Sequence, residues 1–216
     1  MAVPENYRNY DATKYIKKEL LPFLHLTTPV VADAQNRLGA MYGIHNLFQN
    51  SGKKMVGTAF TCRIQHGDWL WICKACDAMN EGDVLIVDMG GTESVGCWGD
   101  LSNAGLMNRR GTGVIVDGGI RDIEDLLVMG VPTYYRSIGP NAGNPHEEGG
   151  TMGIPVVCGG QAVRPGDVIF GDDSGVVVIP GEKWQQVLLE SQKQEEYEKI
   201  TANRIYSGGP CISYDK

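Results

Sequence analysis

Two short segments carry residue types that could bind and polarise a small organic acid. The first consists of Gly99, Asp100, Leu101 and Ser102. It resembles the start of a helix, where N–H groups without intrahelical acceptors favour a carboxylate or phosphate. The second is Arg121-Asp122, which precedes another predicted helix. The Arg121 guanidinium can bind an oxyanion, and the Asp122 carboxylate is a hard oxygen ligand suited to Mg²⁺ or Mn²⁺.

The two aspartates also allow a purely structural interpretation. Asp is common in the first turn of helices, so Asp100 and Asp122 could cap their helices while Arg121 pairs with one of them. A metal site is an equally good interpretation, because Mg²⁺ keeps several waters and accepts only one or two protein carboxylates. Asp122 alone would suffice if a bidentate keto acid filled two further positions. The spacing by itself does not choose between these interpretations.

Both segments follow strands that the sequence predicts to be buried. The apolar runs 84–87 and 114–116 are typical of strands covered on both faces. Each run leads through a glycine-rich loop into a helical pattern, and a third strand begins at about 131, which gives a β-α-β-α-β rhythm. Because consecutive β-α units place their strand ends at one edge of the sheet, we expect the two segments to lie side by side.

The rest of the chain completes an α/β pattern without a visible linker. The other predicted elements are helices at 15–21, 28–38 and 68–79, strands at 55–64, 155–158, 167–170 and 176–179, a loop at 139–153, and a long C-terminal helix whose inner face carries Trp184, Val187, Leu188, Ser191 and Tyr197. We therefore expect one domain over 1–216. It would comprise N-terminal helices in 1–50, a core at 55–180 and a C-terminal helix at about 182–206.

Composition narrows the possible partners and location. The chain has 216 residues with 19 Lys and Arg against 26 Asp and Glu, a net charge of −7, which argues against nucleic acid as a partner. No apolar run approaches the roughly 18 residues of a membrane span. The first eight residues contain no apolar signal core, and six cysteines in such a chain indicate free thiols. We expect a cytoplasmic protein that does not bind membranes.

Several other residues attract attention but favour structural roles. Cys73 and Cys76 have thioredoxin-like spacing inside an apolar helix, where packing is the favoured role. His146 lies in a loop that could contact a substrate, although such loops generally run over the surface. Trp69 is expected to cover a core edge or a subunit contact. Asp88 and Asp117 each end a buried strand, either satisfied by loop N–H groups or holding water near the site.

From Gly82 to Ile179 the sequence resembles the family that contains the class II pyruvate aldolases (4-hydroxy-4-methyl-2-oxoglutarate aldolase) and the regulator of ribonuclease E activity A. The matching segments are 82–88, 99–101, 116–122, 163–167 and 172–176, and residues 28–38 resemble the family's N-terminal helix. In its enzymatic branch, an acidic residue is followed by twenty others and then by Arg-Asp. Asp100 followed by Arg121-Asp122 fits this pattern without a gap.

The resemblance implies a fold, an assembly and a set of roles. The fold would be a swivelling β/β/α domain with helices packed around a central mixed sheet, assembled as a homotrimer or hexamer with active sites between subunits. Asp122 would hold Mg²⁺ or Mn²⁺, Arg121 would contact the keto oxygen, and Asp100 would order a water for proton transfer. Residues 99–102 would bind the substrate carboxylate. A C-terminal acid from a neighbouring subunit is also implied, with Glu195, Glu196 and Glu198 as open candidates.

The implied reaction is cleavage of a C–C bond next to a pyruvyl unit. It would proceed through a pyruvate enolate, whose charge the metal and Arg121 would stabilise. Cleavage of a 4-hydroxy-2-oxo acid and decarboxylation of oxaloacetate pass through the same enolate, so one site could perform both. The alternative is a non-catalytic regulatory protein that resembles the ribonuclease E regulator. The acceptor half of the substrate is not defined by these residues.

Overall fold

The computed structural model describes residues 2–65 and 67–212. Its strands are β1 (His45–Asn46), β2 (Met55–Ile64), β3 (Asp83–Trp98), β4 (Gly113–Ile120), β5 (Thr133–Ile138), β6 (Gly150–Met152), β7 (Val156–Cys158), β8 (Gln161–Val163), β9 (Val168–Asp172) and β10 (Gly175–Ile179). The α-helices are α1 (Thr28–Ala34), α2 (Trp69–Ala78), α3 (Asp100–Asn108), α4 (Ile123–Met129) and α5 (Trp184–Tyr206). Short 3₁₀ helices span Glu5–Tyr7, Ala12–Tyr15 and Lys18–His25.

A central mixed sheet has the strand order β1-β5-β4-β3-β2-β9-β10, with β6 paired to β2. The neighbours β2, β3, β4 and β5 run parallel, whereas β1, β6, β9 and β10 pair antiparallel. Strands β7 and β8 form a separate hairpin. This confirms the expected α/β architecture with helices around a mixed sheet. It also confirms that the ends of β3 and β4 lie side by side, because the two strands are paired.

Strand β3 is longer than the sequence pattern predicts. It was expected to end near Asp88, yet it continues to Trp98 through three register shifts against β4. Gly90 and Gly91 have φ angles of 63° and 74°, which allow the backbone to bulge and then resume pairing. The extension brings Trp98 opposite Ile120, so both strands reach the same point before their helices begin.

Helices cover both faces of the sheet and complete its cores. Ile72 of α2, Leu106 of α3 and Leu126 of α4 are fully buried in one apolar cluster with the central strands. Phe23 and Phe170 belong to a second cluster that α1 and α5 help to close. Helix α2 begins as predicted, because Asp68 accepts a hydrogen bond from the Leu70 N–H. None of the helices in the described ranges is long and apolar enough to cross a membrane.

The remaining differences arise where tertiary contacts outweigh local pattern. The segment Lys18–His25 is a 3₁₀ helix around Pro22 rather than the predicted α-helix. Strands β1, β6 and β8 were not predicted, and β6 lies inside the predicted loop. Tyr197 was expected on the inner face of the C-terminal helix, but it is 64% exposed. That expectation is wrong because the buried residues of α5, Val187 and Ser191, belong to its first half, which leaves Tyr197 beyond them.

Candidate active site

A cleft of about 260 Å³ lies between α2, the end of β3 and the two strand-to-helix turns. Its lining residues are Trp69, Cys73, Gly96, Cys97, Gly99, Asp100, Leu101, Ser102, Arg121, Asp122 and Ala142. All six residues that the sequence singled out for binding or catalysis are among them. The structure therefore brings together two segments that are twenty residues apart in the chain.

The pairing of β3 with β4 accounts for this juxtaposition. Trp98 and Ile120 are the last register partners, and the Arg121 N–H donates to the Trp98 carbonyl oxygen at 2.9 Å. Gly99 and Arg121 are thus the first residues beyond the paired ends. The chain then enters α3 at Asp100 and α4 at Ile123. Two neighbouring strands of one sheet consequently deliver the acid and the Arg-Asp pair to one cleft.

Arg121 and Asp122 contact each other within the cleft. The Arg121 Nε donates to the Asp122 carboxylate, at 3.1 Å to Oδ2 and 3.3 Å to Oδ1. The two side chains are 39% and 28% exposed, so solvent and ligands can reach both. Within the described ranges, the terminal guanidinium nitrogens of Arg121 make no hydrogen bond. Those nitrogens can therefore donate to an oxyanion while Nε holds the carboxylate.

Asp122 does not act as a helix cap through its side chain. No side-chain capping hydrogen bond is present at the start of α4, although the Leu126 N–H donates to the Asp122 carbonyl oxygen. The residue adopts a left-handed backbone conformation with φ 56° and ψ 44°, which costs on the order of 1 kcal/mol for an L-residue and which Asp tolerates better than most. The capping interpretation is thus wrong for Asp122, but the pairing of Arg121 with one of the two aspartates, which the same interpretation predicts, is observed. A strained residue therefore presents a carboxylate that contacts Arg121 and is 28% exposed.

Two glycines make room for the Arg-Asp pair. Gly99 has an extended backbone with φ −150° that any residue could adopt, but a Cβ there would overlap the Asp122 carboxylate. A Cβ on Gly96 would lie 3.2 Å from the Arg121 Cβ and 2.9 Å from the Gly139 carbonyl oxygen. The sequence interpretation treated Gly99 only as an N–H donor and missed Gly96. The glycines matter because they allow β3 to approach the Arg121 and Asp122 side chains closely.

The first turn of α3 carries the N–H groups predicted to bind a carboxylate. The Asp100 Oδ1 accepts the Leu101 N–H at 2.8 Å, so Asp100 partly fills its own helix start. An incoming carboxylate would compete with Asp100 for the Leu101 N–H. The Ser102 N–H lies in the same turn and has no intrahelical acceptor, so it can donate to a ligand. The Leu101 side chain is 82% exposed.

The side of the cleft that faces away from Arg121 and Asp122 is apolar, and the sequence does not predict it. Trp69 and Cys73 come from the first two turns of α2, and Ala142 comes from the loop after β5. Trp69 is 41% exposed, and a subunit contact through this side chain stays a prediction. One signal could have identified this wall. Asp68 marks the start of a helix that follows β2, and the start of that helix lies at the same sheet edge as the ends of β3 and β4.

The residues of the cleft fit a cation that takes few protein ligands. The described part of the chain contains no group of three or more His, Cys, Asp or Glu side chains arranged around a metal position. This excludes a closed protein cage for the residues described, but Mg²⁺ commonly binds through one or two carboxylates and waters. The half-exposed Asp122 carboxylate, which has no capping role, meets that requirement.

Comparison with known proteins places the chain in a family. The sequence profile described as RraA-like (Aldolase/RraA) matches residues 28–178. The chain belongs to the RraA-like family. A candidate 4-hydroxy-4-methyl-2-oxoglutarate aldolase of Halalkalibacterium halodurans is 34% identical over 163 residues, which cover 72% of this chain and 76% of that protein. An uncharacterized protein of Methanocaldococcus jannaschii is 31% identical over 85% of this chain and 87% of its own length.

A solved structure agrees with this assignment. The crystal structure of RraAS2 from Streptomyces coelicolor, described as an unusual member of the RNase ES inhibitor RraA family, is 26% identical to this RraA-like chain. The two superimpose with a TM-score of 0.75, covering 86% of this chain and 96% of that one. The RraA-like fold expected from the sequence is thereby confirmed.

The aspartates that precede the cleft have a different role in this RraA-like chain. Asp88 and Asp117 are buried register partners on β3 and β4. Asp88 pairs with Arg63 at 2.9 Å, and Asp117 pairs with Arg136. Backbone N–H groups also donate to them, from the bulged part of β3 and from β7 to Asp88, and from Gly159, after β7, to Asp117 at 2.8 Å. These contacts agree with the alternative in which loop N–H groups satisfy both carboxylates.

Cys76 is buried and His146 is exposed, as their predicted structural roles require, whereas Cys73 is exposed and lines the cleft. Burial raises the pKa of both Cys73 and Cys76, and the Cys76 Sγ donates to the Ser102 carbonyl oxygen at 3.6 Å. A raised thiol pKa disfavours thiolate chemistry at both residues. The packing role is confirmed for Cys76, but it is wrong for Cys73, whose side chain is exposed. His146 is exposed and does not line the cleft. Its loop is attached to α2, because the Trp71 Nε1 donates to the Glu147 carbonyl oxygen at 3.1 Å.

The three candidate acids of α5 have different surroundings. Glu195 pairs with Lys199 at 3.2 Å, and Glu198 accepts a hydrogen bond from the Gln194 side chain at 3.0 Å. Glu196 is exposed and makes no ion pair or hydrogen bond within the part of the chain that the structure describes. None of the three lines the cleft of its own chain.

Proposed function

We propose that this RraA-like protein is a divalent-metal-dependent lyase that cleaves a C–C bond next to a pyruvyl unit and releases pyruvate. The observation that carries the proposal is the convergence of Arg121, Asp122 and the start of α3 in one cleft. The named activity of the Halalkalibacterium halodurans relative supports the same reaction class. Substrates would be 4-hydroxy-2-oxo acids, oxaloacetate or both.

Binding of the pyruvyl unit follows from the two sides of the cleft. The substrate carboxylate would accept hydrogen bonds from N–H groups of residues 99–102, where the helix dipole also favours negative charge. The free guanidinium nitrogens of Arg121 would donate to the keto oxygen. This arrangement would place the bond to be broken in the remaining space of the cleft.

The chemistry requires a site for the charge that develops on the keto oxygen. In aldol cleavage, the C4 hydroxyl loses its proton, the C3–C4 bond breaks and its electron pair enters the pyruvate enolate. Arg121 would stabilise this oxyanion by charge-assisted hydrogen bonds that strengthen as the charge grows. Asp122 would hold Mg²⁺ or Mn²⁺, which supplies Lewis-acid polarisation of the keto oxygen. Asp100 would order a water and assist proton transfer.

We also propose that the protein is a homotrimer or hexamer, as the family resemblance implies, and that it is cytoplasmic. A homotrimer or hexamer would bring a second subunit over the open cleft and the exposed Leu101. Glu195, Glu196 and Glu198 remain the candidates for an acid supplied by that neighbour, and Glu196 has the fewest competing contacts. The single RraA-like domain over 1–216 is retained as part of the proposal. The free thiols of all six cysteines are compatible with the reducing cytoplasm.

The proposal is tested by pyruvate release from a panel of 4-hydroxy-2-oxo acids and oxaloacetate. The purified protein is assayed with Mg²⁺, with Mn²⁺ and after removal of metal by a chelator. We expect turnover that the chelator abolishes and either metal restores. Absence of turnover on every substrate would contradict the proposal, and inhibition of a ribonuclease under the same conditions would then favour the regulatory alternative suggested by RraAS2.

A further inference from the structure

The N-terminal segment of the chain lies against the ends of α3 and α4 that are remote from the cleft. The Asn9 N–H donates to the Val128 carbonyl oxygen at 3.0 Å, and the Tyr10 N–H donates to the Met129 carbonyl oxygen at 2.8 Å, where α4 ends. The Tyr10 hydroxyl donates to the Gly111 carbonyl oxygen at 2.9 Å, just beyond the end of α3. Tyr10 therefore contacts the C-terminal ends of both helices whose starts form the candidate active site.

The packing around Tyr10 fixes its position. Its half-buried ring packs against the apolar cluster that contains Leu106 and Leu126, and it stacks on the Tyr15 ring with the ring centres 5.5 Å apart. A Cβ on Gly130, which has a φ of 84°, would lie 3.2 Å from the Tyr10 nitrogen, so glycine permits this close approach. Burial raises the pKa of Tyr10, and Tyr15 raises it further, so the hydroxyl stays protonated and can donate.

The direct polar contact between α3 and α4 is weak. The Asn103 Nδ2 of α3 lies 3.5 Å from the Met129 Sδ of α4, and a thioether sulfur is a poor hydrogen-bond acceptor. The Asn103 side chain is fully buried, and its Oδ1 has no partner within the described ranges. The two hydrogen bonds of Tyr10 therefore form the stronger polar link between these helices.

Both helices are short, so a tilt at one end is transmitted to the other. Helix α3 has nine residues and α4 has seven, which correspond to lengths of about 13.5 and 10.5 Å. Asp100 is the first residue of α3, and Arg121 and Asp122 directly precede α4. Movement of the C-terminal end of either helix would thus change the separation of these groups in the cleft, and small misplacements of reacting groups are costly.

We infer that Tyr10 is a positioning residue, which ties the remote ends of α3 and α4 together and so holds Asp100 at its working distance from Arg121 and Asp122. This inference rests on the proposed lyase function, to which it adds a residue outside the cleft. Tyr10 also lies outside residues 28–178, which match the family profile. It acts through the two helices and touches no substrate.

The first test removes one hydroxyl group. Tyr10→Phe keeps the ring and the backbone hydrogen bond to α4 but loses the hydrogen bond to Gly111. With the best substrate of the panel, we expect kcat for pyruvate release to fall by about fivefold or more and KM to change by less than about twofold. A merely structural role would lower the urea midpoint and leave kcat unchanged in the absence of urea.

Tyr15→Phe is the matched control for this variant. Tyr15 is half-buried like Tyr10 and stacks on it, but its hydroxyl makes no hydrogen bond within the part of the chain that the structure describes. The control therefore removes a hydroxyl group from the same aromatic pair without loosening α3. We expect it to keep the kcat and KM of the wild-type protein.

The second test is hydrogen exchange followed by NMR, which needs no turnover. The Asn103 N–H closes the first turn of α3 onto the Gly99 carbonyl oxygen at 3.0 Å. We expect this amide to exchange about fivefold faster in Tyr10→Phe than in wild type or Tyr15→Phe, because its helix is anchored less firmly. The amide of Ile115, fully buried in the central strand β4, reports global opening and should exchange at the same rate in all three proteins.

The outcomes separate the inference from the proposed function. Unchanged kcat in Tyr10→Phe, or an equal loss in Tyr15→Phe, would overturn the inference and leave the lyase function standing. Exchange that accelerates equally at Asn103 and Ile115 would show that Tyr10 contributes only to global stability, and would also overturn the inference. Absence of pyruvate release by the wild-type protein on every substrate would overturn the proposed function and, with it, the role inferred for Tyr10.

Discussion

Two pairs of aspartates belong to the same two β-α units, and they have opposite environments. Asp88 and Asp117 are buried and face each other in the β3–β4 register. Each is bound by an arginine and by backbone N–H groups. Asp100 and Asp122 come later, beyond the end of the pairing, and line an open cleft. The residue type is the same in both pairs, but Asp88 and Asp117 lie within the strands and accept hydrogen bonds from more donors than Asp100 and Asp122 do.

The contrast between the two pairs shows which carboxylates can accept a ligand. Asp88 and Asp117 accept hydrogen bonds from the Val157 and Gly159 N–H groups, so they attach the β7 segment to β3 and β4 of the sheet. A buried carboxylate that is fully hydrogen-bonded in this way stabilises the fold and has little capacity left for substrate. Asp122 has a strained backbone, no capping bond and one arginine partner, which is the environment expected for a functional residue.

The largest expected effect concerns the buried pair. Asp117→Ala should lower the free energy of unfolding by about 3 kcal/mol, because Arg136 and the Gly159 N–H lose their acceptor. Urea denaturation monitored by circular dichroism measures this change. Asp33→Ala, at an exposed pair with Arg37, is the control and should change stability by less than about 1 kcal/mol. Equal effects in both variants would contradict the stabilising role assigned to the buried carboxylate of Asp117.

The second prediction concerns Arg121 in the open cleft. Arg121→Ala should reduce kcat/KM for pyruvate release by about 100-fold or more, by analogy with removal of one oxyanion donor. Arg121→Lys should also be poor, because it lacks the planar fork of the guanidinium. The side chains of Arg121 and of its partner Asp122 are partly exposed, so either substitution of Arg121 should change the urea midpoint little. Near-normal turnover in Arg121→Ala would contradict the proposed mechanism.

The third prediction uses the glycine that faces Asp122. Gly99→Ala should fold, because its extended backbone suits any residue, but the new Cβ displaces the Asp122 carboxylate. We expect turnover to fall by about tenfold or more, since small misplacements of catalytic groups are costly. Gly139→Ala adds a methyl group in open space nearby and should retain full activity. A Gly99→Ala enzyme as active as Gly139→Ala would show that the position of Asp122 is unimportant.

The smallest effect is expected at Cys73, which lines the cleft without a proposed chemical role. Burial raises its pKa, so less thiolate is present at pH 8 than in free cysteine, and alkylation should accelerate only as the pH rises further. The rate of iodoacetamide labelling between pH 7 and 10, followed by mass spectrometry, measures this. Cys73→Ser should remain active with or without reductant. Labelling faster than that of free cysteine at pH 7 would contradict the raised pKa of the Cys73 thiol.

The sequence predicted the elements whose pattern is strong and local. Strand β2 and helix α3 have nearly the expected bounds, and the β-α-β rhythm correctly placed Asp100 beside Arg121. The extension of β3 could not be predicted, because it depends on bulges that only pairing with β4 stabilises. The same holds for β8, a three-residue strand that exists only as a partner of β7.

The site was predictable in its charged residues but not in its surroundings. Arg121 and Asp122 stand out by type, whereas Trp69 reaches the cleft from another β-α unit, which only the assembled sheet brings close. Sequence alone also could not separate Asp88 from Asp122. The separation depends on which arginines and N–H groups the fold brings to each carboxylate.

Binding of Mn²⁺ by Asp122→Asn tests the central claim most directly. Asn tolerates the left-handed backbone of residue 122 as Asp does, so the variant should keep the urea midpoint of the wild-type protein while losing the charge that we propose to hold a cation. We predict that electron paramagnetic resonance titration will show Mn²⁺ affinity reduced by about tenfold or more in the variant, with pyruvate release lost in parallel. Unchanged Mn²⁺ affinity, or full turnover in the variant, would contradict the account.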